Sequence, residues 1–217
     1  MLSEAIVHIV DDDEAVRHAL TMLMHSVELK TREFSSARAF LDSVDPTLPG
    51  CLVLDVRMPE MSGLDLQREL AKRDIKIPII IITGHGDVPM VVRAMKEGAF
   101  DFLEKPFHDQ DLLDSITTAV AKSITILQEQ DAHRLFLARS RHLSSREKQV
   151  MDLLIDGRCS KEIAIALGIS PKTVDVHRGN VMDKMQVKSV IELVHLAILK
   201  KAPLEIVESV GIVESVG

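Results

Sequence analysis

Several carboxylates, one threonine and one lysine stand where they could carry phosphoryl chemistry. Asp11, Asp12 and Asp13 follow the apolar run Ile6–Val10, and Asp55 follows Cys51–Leu54. Thr83 closes Ile77–Ile82, and Lys105 follows Asp101–Glu104. Gathered carboxylates repel one another, and burying them together is costly unless a positive group neutralises them. A hard divalent cation such as Mg²⁺ does so with oxygen ligands, taking few carboxylates and keeping waters. One aspartate can then act as nucleophile toward a phosphoryl group. The metal and a lysine stabilise charge on the transferring oxygens, and a nearby hydroxyl can bond the phosphoryl once it is in place. Taken singly, each residue reads as surface or cap, and Asp13 is read as the cap of the following helix. Their joint placement after separate strands favours the chemistry.

The elements that must position them alternate. Apolar strands are expected at Ile6–Val10, Lys30–Phe34, Cys51–Leu54, Ile77–Ile82 and Asp101–Glu104. Helical patterns fall near Glu14–Ser26, Ser36–Ser43, Gly63–Arg73 and Val88–Glu97, with another from Asp109 onward. Alternation of this kind implies βαβ units and a parallel sheet covered on both faces. The predicted fold is α/β: a five-stranded, parallel, doubly wound domain over residues 1–122. In such sheets ligands sit at the carboxyl ends of the strands, which is where the acids, Thr83 and Lys105 fall.

Beyond residue 105 the pattern is helical. Leu113, Ile116, Val120, Ile124 and Leu127 form a narrow apolar stripe, and residues 123–141 read as a partly helical linker. Residues 142–203 form an all-α, four-helix domain. Ser144 and Glu147 make a capping box. A second helix spans Ser160–Leu167 and stops at Gly168. A third opens with Ser170 as cap and Pro171 in its first turn, running to Met185, and a fourth covers Ser189–Leu199. The middle two form a helix-turn-helix packed through Ile163, Ala164, Leu167, Val174, Val181 and Met185. The opposite face offers Lys172, Thr173, Asp175, Val176, Arg178, Gly179 and Asn180. A helix fits the major groove of duplex DNA, where its first residues reach base edges. Lys172, Arg178, Lys184 and Lys188 are placed to meet phosphates. No aromatic follows Phe136, which removes base stacking as a mode of binding single strands.

The 217-residue chain is 46% hydrophobic and 27% charged, with a net charge of −7. Residues 1–122 carry 13 Lys+Arg against 21 Asp+Glu, while residues 142–203 carry 10 against 7. That split fits an acidic regulatory module joined to an anion-binding one. MLSEAIVHIV lacks the basic start of a secretory signal, and no apolar run is long enough to span a bilayer. Cys51 and Cys159 form no metal or disulfide pattern and read as small, reduced core residues. A cytoplasmic location is expected. IVESVG at 206–211 recurs at 212–217, with no function assigned.

The segments VHIVDDDEAVR, LVLDVRMPEMSGLDL and IIITGHGDVPMVVRAMKEGAFDFLEKPF resemble the receiver domain of two-component response regulators. With LSSREKQVMDLLIDGRCSKEIAIALGISPKTVDVHRGNVMDKM, the chain resembles the FixJ type with a NarL/LuxR-type helix-turn-helix, over nearly all of residues 5–200. The resemblance implies a flavodoxin-like receiver in which Asp55 accepts a phosphoryl group from a sensor histidine kinase. It implies Mg²⁺ on Asp12, Asp55 and the backbone carbonyl of Arg57, with Asp11 acting through a water. Thr83 and Lys105 grip the phosphoryl, Lys105 precedes a cis Pro106, and Gly84 leaves room for access. Phe102 sits at the switch aromatic, a position equally open to an ordinary core ring. Arg57 and His85 occupy positions that set dephosphorylation rate. Asp175, Val176 and Gly179 correspond to groove-facing positions, none of them basic, so base contacts fall to Lys172, Thr173, Arg178 and Asn180. The implied output is a transcriptional activator. It dimerises on phosphorylation through the fourth helix and fifth strand, including Met90, Val91, Ala94, Met95 and Phe102. RNA polymerase is a further partner.

Three other readings compete. A Mg²⁺-dependent phosphatase with an aspartyl intermediate shares the chemistry, but places a second acid where this chain has Arg57. An autoinducer-binding LuxR sensor needs an apolar ligand pocket in place of the acids. A receiver that works unphosphorylated needs no intact acid set.

Overall fold

Ile6–Val10 (β1) and Gly50–Asp55 (β3) are almost wholly apolar, and such segments are stable as strands only when both faces are covered. In the computed structural model they lie side by side. The structure describes residues 4–84, 86 and 88–201. With Lys30–Phe34 (β2), Ile79–Thr83 (β4) and Asp101–Glu104 (β5) they form one five-stranded parallel sheet, ordered β2-β1-β3-β4-β5. The expected strand β4 starts later than its apolar run because Pro78 has no N–H to give the ladder; its carbonyl instead accepts from Leu52 N at 2.9 Å.

The helices are Glu14–Ser26 (α1), Ala37–Leu41 (α2), Gly63–Lys72 (α3), Val88–Lys96 (α4) and Asp109–Ser140 (α5). Asp13 caps α1 by accepting from Ala15 N at 2.8 Å. One core layer joins Val10, Phe40, Leu52, Leu54, Leu66 and Ile81; the other joins Val7, Ile9, Val53, Ile80, Leu112 and Ile116. Alternate residues of β1, β3 and β4 thus serve opposite faces, as the pleat requires.

The chain divides into two compact units, 1–127 and 128–217, inside α5. The first unit runs past the expected residue 122 because Ser123 is buried and its Oγ accepts from Gly50 N at 3.1 Å. The stripe read along α5 is covered and wider than expected: Ile116 and Val120 are fully buried together with Leu112 and Ala119, and Leu113 and Ile124 are partly covered.

The second unit contains Ser145–Ile155 (α6), Ser160–Leu167 (α7), Pro171–Met185 (α8) and Val190–Lys201 (α9). Phe136 joins Val150, Ile163, Val174, Val181 and Leu193 in its core. Among the described residues no helix is long and apolar enough to cross a membrane. The repeated hexapeptide lies outside the described residues, as does His85.

Candidate phosphoacceptor site and DNA-reading helix

The carboxyl ends of β1, β3 and β4 deliver Asp11, Asp55 and Thr83, which are 2%, 7% and 1% exposed. Two buried acids beside each other need a counter-charge. Lys105, just past β5, supplies it: its Nζ donates to Asp11 Oδ2 at 2.9 Å and to Asp55 Oδ1 at 3.0 Å. Lys105 N in turn donates to Thr83 O at 2.8 Å, tying the lysine to the end of β4. The Lys105–Pro106 peptide is cis. Asp55 Oδ2 accepts from Arg57 N at 2.6 Å, and Asp11 Oδ1 from Asp13 N at 2.9 Å. Arg17 adds a bond to the Asp11 carbonyl at 2.8 Å.

Burial pushes the Asp55 carboxyl above its ordinary range, and the Lys105 ammonium offsets part of that push. Burial likewise pulls Lys105 down, but its bonds to Asp11 and Asp55 outweigh it and leave the lysine raised. Two carboxylates against one ammonium leave this corner a net negative charge. A net negative corner of carboxylate oxygens suits a hard divalent cation. Asp12 itself is exposed, and no three carboxylates among the described residues are gathered into a ready-made metal cluster.

Gly63, the first residue of α3, lies against the back of the site. A Cβ there would stand 2.3 Å from the Asp55 carbonyl oxygen, so only glycine lets α3 begin so close to β3. Phe102 is half-buried and packs against the core. A Cβ on Gly86 would meet its ring at 2.9 Å and a Thr83 methyl at 3.6 Å. The ring therefore lies against Gly86, near the threonine methyl. On α4, Ala94 is fully buried and cannot serve an outer surface, a correction to its expected place on a dimer face. The exposed apolar residues there are Val88, Val92 and Met95.

In the second unit α7 and α8 form the helix-turn-helix. Gly168 ends α7 in the left-handed region at φ 62°, and Ser170 caps α8 by accepting from Thr173 N. Val174, Val181 and Met185 are buried, while Lys172, Thr173, Asp175, Val176, Arg178, Gly179 and Asn180 are exposed. One helix thus separates a packing face from a polar face, as insertion into a groove requires.

A profile for the response regulator receiver domain matches residues 7–117, and one for bacterial regulatory proteins of the LuxR family matches residues 141–197. This chain belongs to the response regulators. The response regulator protein TmoT of Ectopseudomonas mendocina is 49% identical over 195 residues, covering 89% of this chain and 88% of that protein. The transcriptional regulatory protein FixJ of Azorhizobium caulinodans is 47% identical, over 89% and 92% of the two chains. The solved structure of response regulator StyR superposes with a TM-score of 0.75 at 44% identity, covering 90% and 98%. The protein is a two-component transcriptional response regulator whose receiver has a sensor kinase as partner and whose LuxR-type domain binds DNA.

Within this response regulator, Asp11, Asp55, Thr83 and Lys105 come together at one sheet edge. Asp12 lies at the exposed rim, and Arg57 contributes backbone while its side chain is exposed. Lys184 departs from expectation. Its Nζ bonds both oxygens of the buried Glu147, at 2.9 and 2.7 Å, so its charge has a partner inside the domain that the sequence did not suggest. Cys159 is exposed at the start of α7 and is no core residue. Sequence reasoning missed two arginines that cap helix ends. Arg139 Nη1 donates to Met185 O at 3.0 Å and Arg146 Nη2 to Leu167 O at 2.5 Å, holding the last turns of α8 and α7. Basic residues 46 and 21 positions away in sequence carry no local signal of such a role.

Proposed function

We propose that Asp55 is the phosphoacceptor of this regulator and that Lys105 converts its charge into a switch. The observation that carries this reading is the lysine shared between Asp11 and Asp55 at the ends of β1 and β3. In the transfer, an Asp55 oxygen attacks phosphorus and the bond from phosphorus to the kinase histidine nitrogen breaks. The Arg57 N–H holds the other Asp55 oxygen and so orients the attack. Mg²⁺ held by Asp12, Asp55 and the Arg57 carbonyl, with Asp11 beside it, would supply electrostatic stabilisation of the phosphoryl oxygens. The phosphoryl adds roughly −1.5 to −2 charge. Lys105 then has a stronger partner than either carboxylate, and the Thr83 hydroxyl can donate to a phosphoryl oxygen. Phe102, against Gly86 and near the Thr83 methyl, follows that movement. The protein's own catalysis is confined to this transfer and to slow loss of the phosphoryl as phosphate.

The exposed Val88, Val92 and Met95 on α4 supply an apolar surface for pairing two phosphorylated copies. A dimer would set two α8 helices on a quasi-palindromic promoter. In this reading Lys172, Thr173, Asp175, Val176, Arg178 and Asn180 meet the duplex, in the cytoplasm, and RNA polymerase is recruited as for an activator. Turning a nearly inactive population into a nearly active one requires about 5.5 kcal/mol of bias. Charge-assisted hydrogen bonds and a dimer interface are sources of that size.

The test is duplex promoter binding before and after treatment with a small phosphodonor and Mg²⁺. Wild type gains affinity by about tenfold or more, roughly 1.4 kcal/mol, and Asp55→Asn gains none. Equal gain in both would remove Asp55 from the mechanism.

A further inference from the structure

We propose that Asp175 reads a cytosine in the DNA site through the cytosine N4 amino group, and that Ser160 is the positioning residue that aims it. The proposal rests on the reading of α8 as the groove helix and adds the base it recognises.

Asp175 lies in the second turn of α8, exposed, one position past the buried Val174. Its Oδ1 accepts from Ser160 Oγ, the first residue of α7, at 2.9 Å. A bond between the two helices of the motif fixes a side chain that would otherwise sample several rotamers. One carboxylate lone-pair site is occupied by serine, and no other side-chain bond to Asp175 occurs among the described residues, so acceptor capacity remains on an exposed carboxylate.

An ionised aspartate only accepts. In the major groove guanine presents N7 and O6 and thymine O4, all acceptors, which repel it. Adenine presents an N6 donor, but N7 on the same base is an acceptor beside it. Cytosine presents the N4 donor with no acceptor on its own exposed edge, and so fits a carboxylate. Lys172 and Arg178 lie three residues to either side on the same helix face. They can neutralise the flanking phosphates that would oppose an acid in the groove.

A purely internal role, in which Ser160 and Asp175 only brace the motif, makes a different prediction. Asparagine in place of aspartate keeps an oxygen to accept from Ser160, so it preserves the brace. It also adds an amide donor for adenine N7, while its oxygen can accept from adenine N6.

The experiment selects sequences from a randomised duplex pool with the full chain, treated with phosphodonor and Mg²⁺. Wild type is expected to show a position preferring cytosine by about tenfold, the discrimination of one good base contact. D175N shifts that position toward adenine, and S160A weakens the cytosine preference while the other positions stay as selected. If both variants select the same bases as wild type, the inference is overturned and the brace alone remains. If wild type itself enriches no sequence, the groove-helix reading falls, and this inference with it.

Discussion

The Lys184 ammonium lies 2.7 Å from Oε2 of Glu147, joining the last turn of α8 to the first turn of α6. Glu147 also accepts from Ser144 N at 2.7 Å, so one buried carboxylate closes a helix cap and anchors α8. Those bonds, the Lys184 bond foremost, hold its carboxyl down to about 2, below the ordinary 4.5.

A depressed carboxyl stabilises the fold above its unfolded pKa and loses that contribution as pH falls toward the folded value. The stability of the second unit should therefore decline between about pH 4.5 and 2, the window set by Glu147. Glu147→Gln should flatten that decline. Lys184→Ala should destabilise by about 1–2 kcal/mol, the range of a hydrogen bond to a charged group at a partly exposed site. Urea denaturation across pH checks both; an unchanged acid limb in Glu147→Gln would show that the pair does not set it.

His8 gives the first unit an acid limb of its own. It is 4% exposed on β1, with Phe34 and Phe40 ring centroids at 6.0 and 5.3 Å. Burial, with a smaller push from Arg32, lowers its pKa from 6.5 to about 4. The unfolded chain then binds the extra proton between those values, so stability is full above pH 6.5 and is lost as pH falls toward 4. The loss should reach about 3 kcal/mol. His8→Leu should remove this slope in a pH series of unfolding midpoints for the receiver, and a slope that persists would assign it to another group.

Gly63 tests how closely α3 must approach β3, the strand that ends in Asp55. Gly63→Ala forces apart a Cβ and the Asp55 carbonyl that would otherwise stand 2.3 Å apart. Stability should fall by about 1–3 kcal/mol, as for overpacking, and the phosphorylation rate should fall because the Asp55 backbone is displaced. Gly179→Ala, where an added Cβ meets nothing within 4 Å, should leave phosphorylation unchanged. Equal rates in the two variants would refute the steric argument.

Lys105→Ala separates labelling from switching. The lysine binds Asp11 and Asp55 through its side chain and the end of β4 through its backbone. The variant should still accept a phosphoryl group while its DNA affinity fails to rise, measured by mass and by duplex binding on the same samples. A normal rise would show that this lysine is not part of the switch.

Much of this was legible in the chain because the three central strands β1, β3 and β4 are nearly contiguous apolar runs, and the ends of those runs mark one edge of the sheet. Asp55 and Thr83 could be placed that way without knowing their partners, and Lys105 by its position after the fifth strand of the alternation. What could not be read was pairing across distance. Lys184 reads as one more exposed cation on a helix, since Glu147 lies 37 residues away and already has a local role in its capping box. Cys159 reads as a core residue by type, yet it sits at a helix start, where backbone geometry and not burial decides the position. The α5 stripe was legible, but it was read too narrowly, because the sheet also covers Leu112 and Ala119 beside it.

The most direct test of the central claim is the intact mass of the full chain after treatment with a small phosphodonor, with and without Mg²⁺. The account predicts one added phosphoryl group on wild type, dependent on Mg²⁺, and none on Asp55→Asn. A phosphoryl group on Asp55→Asn to the same extent, or none on wild type, would contradict it.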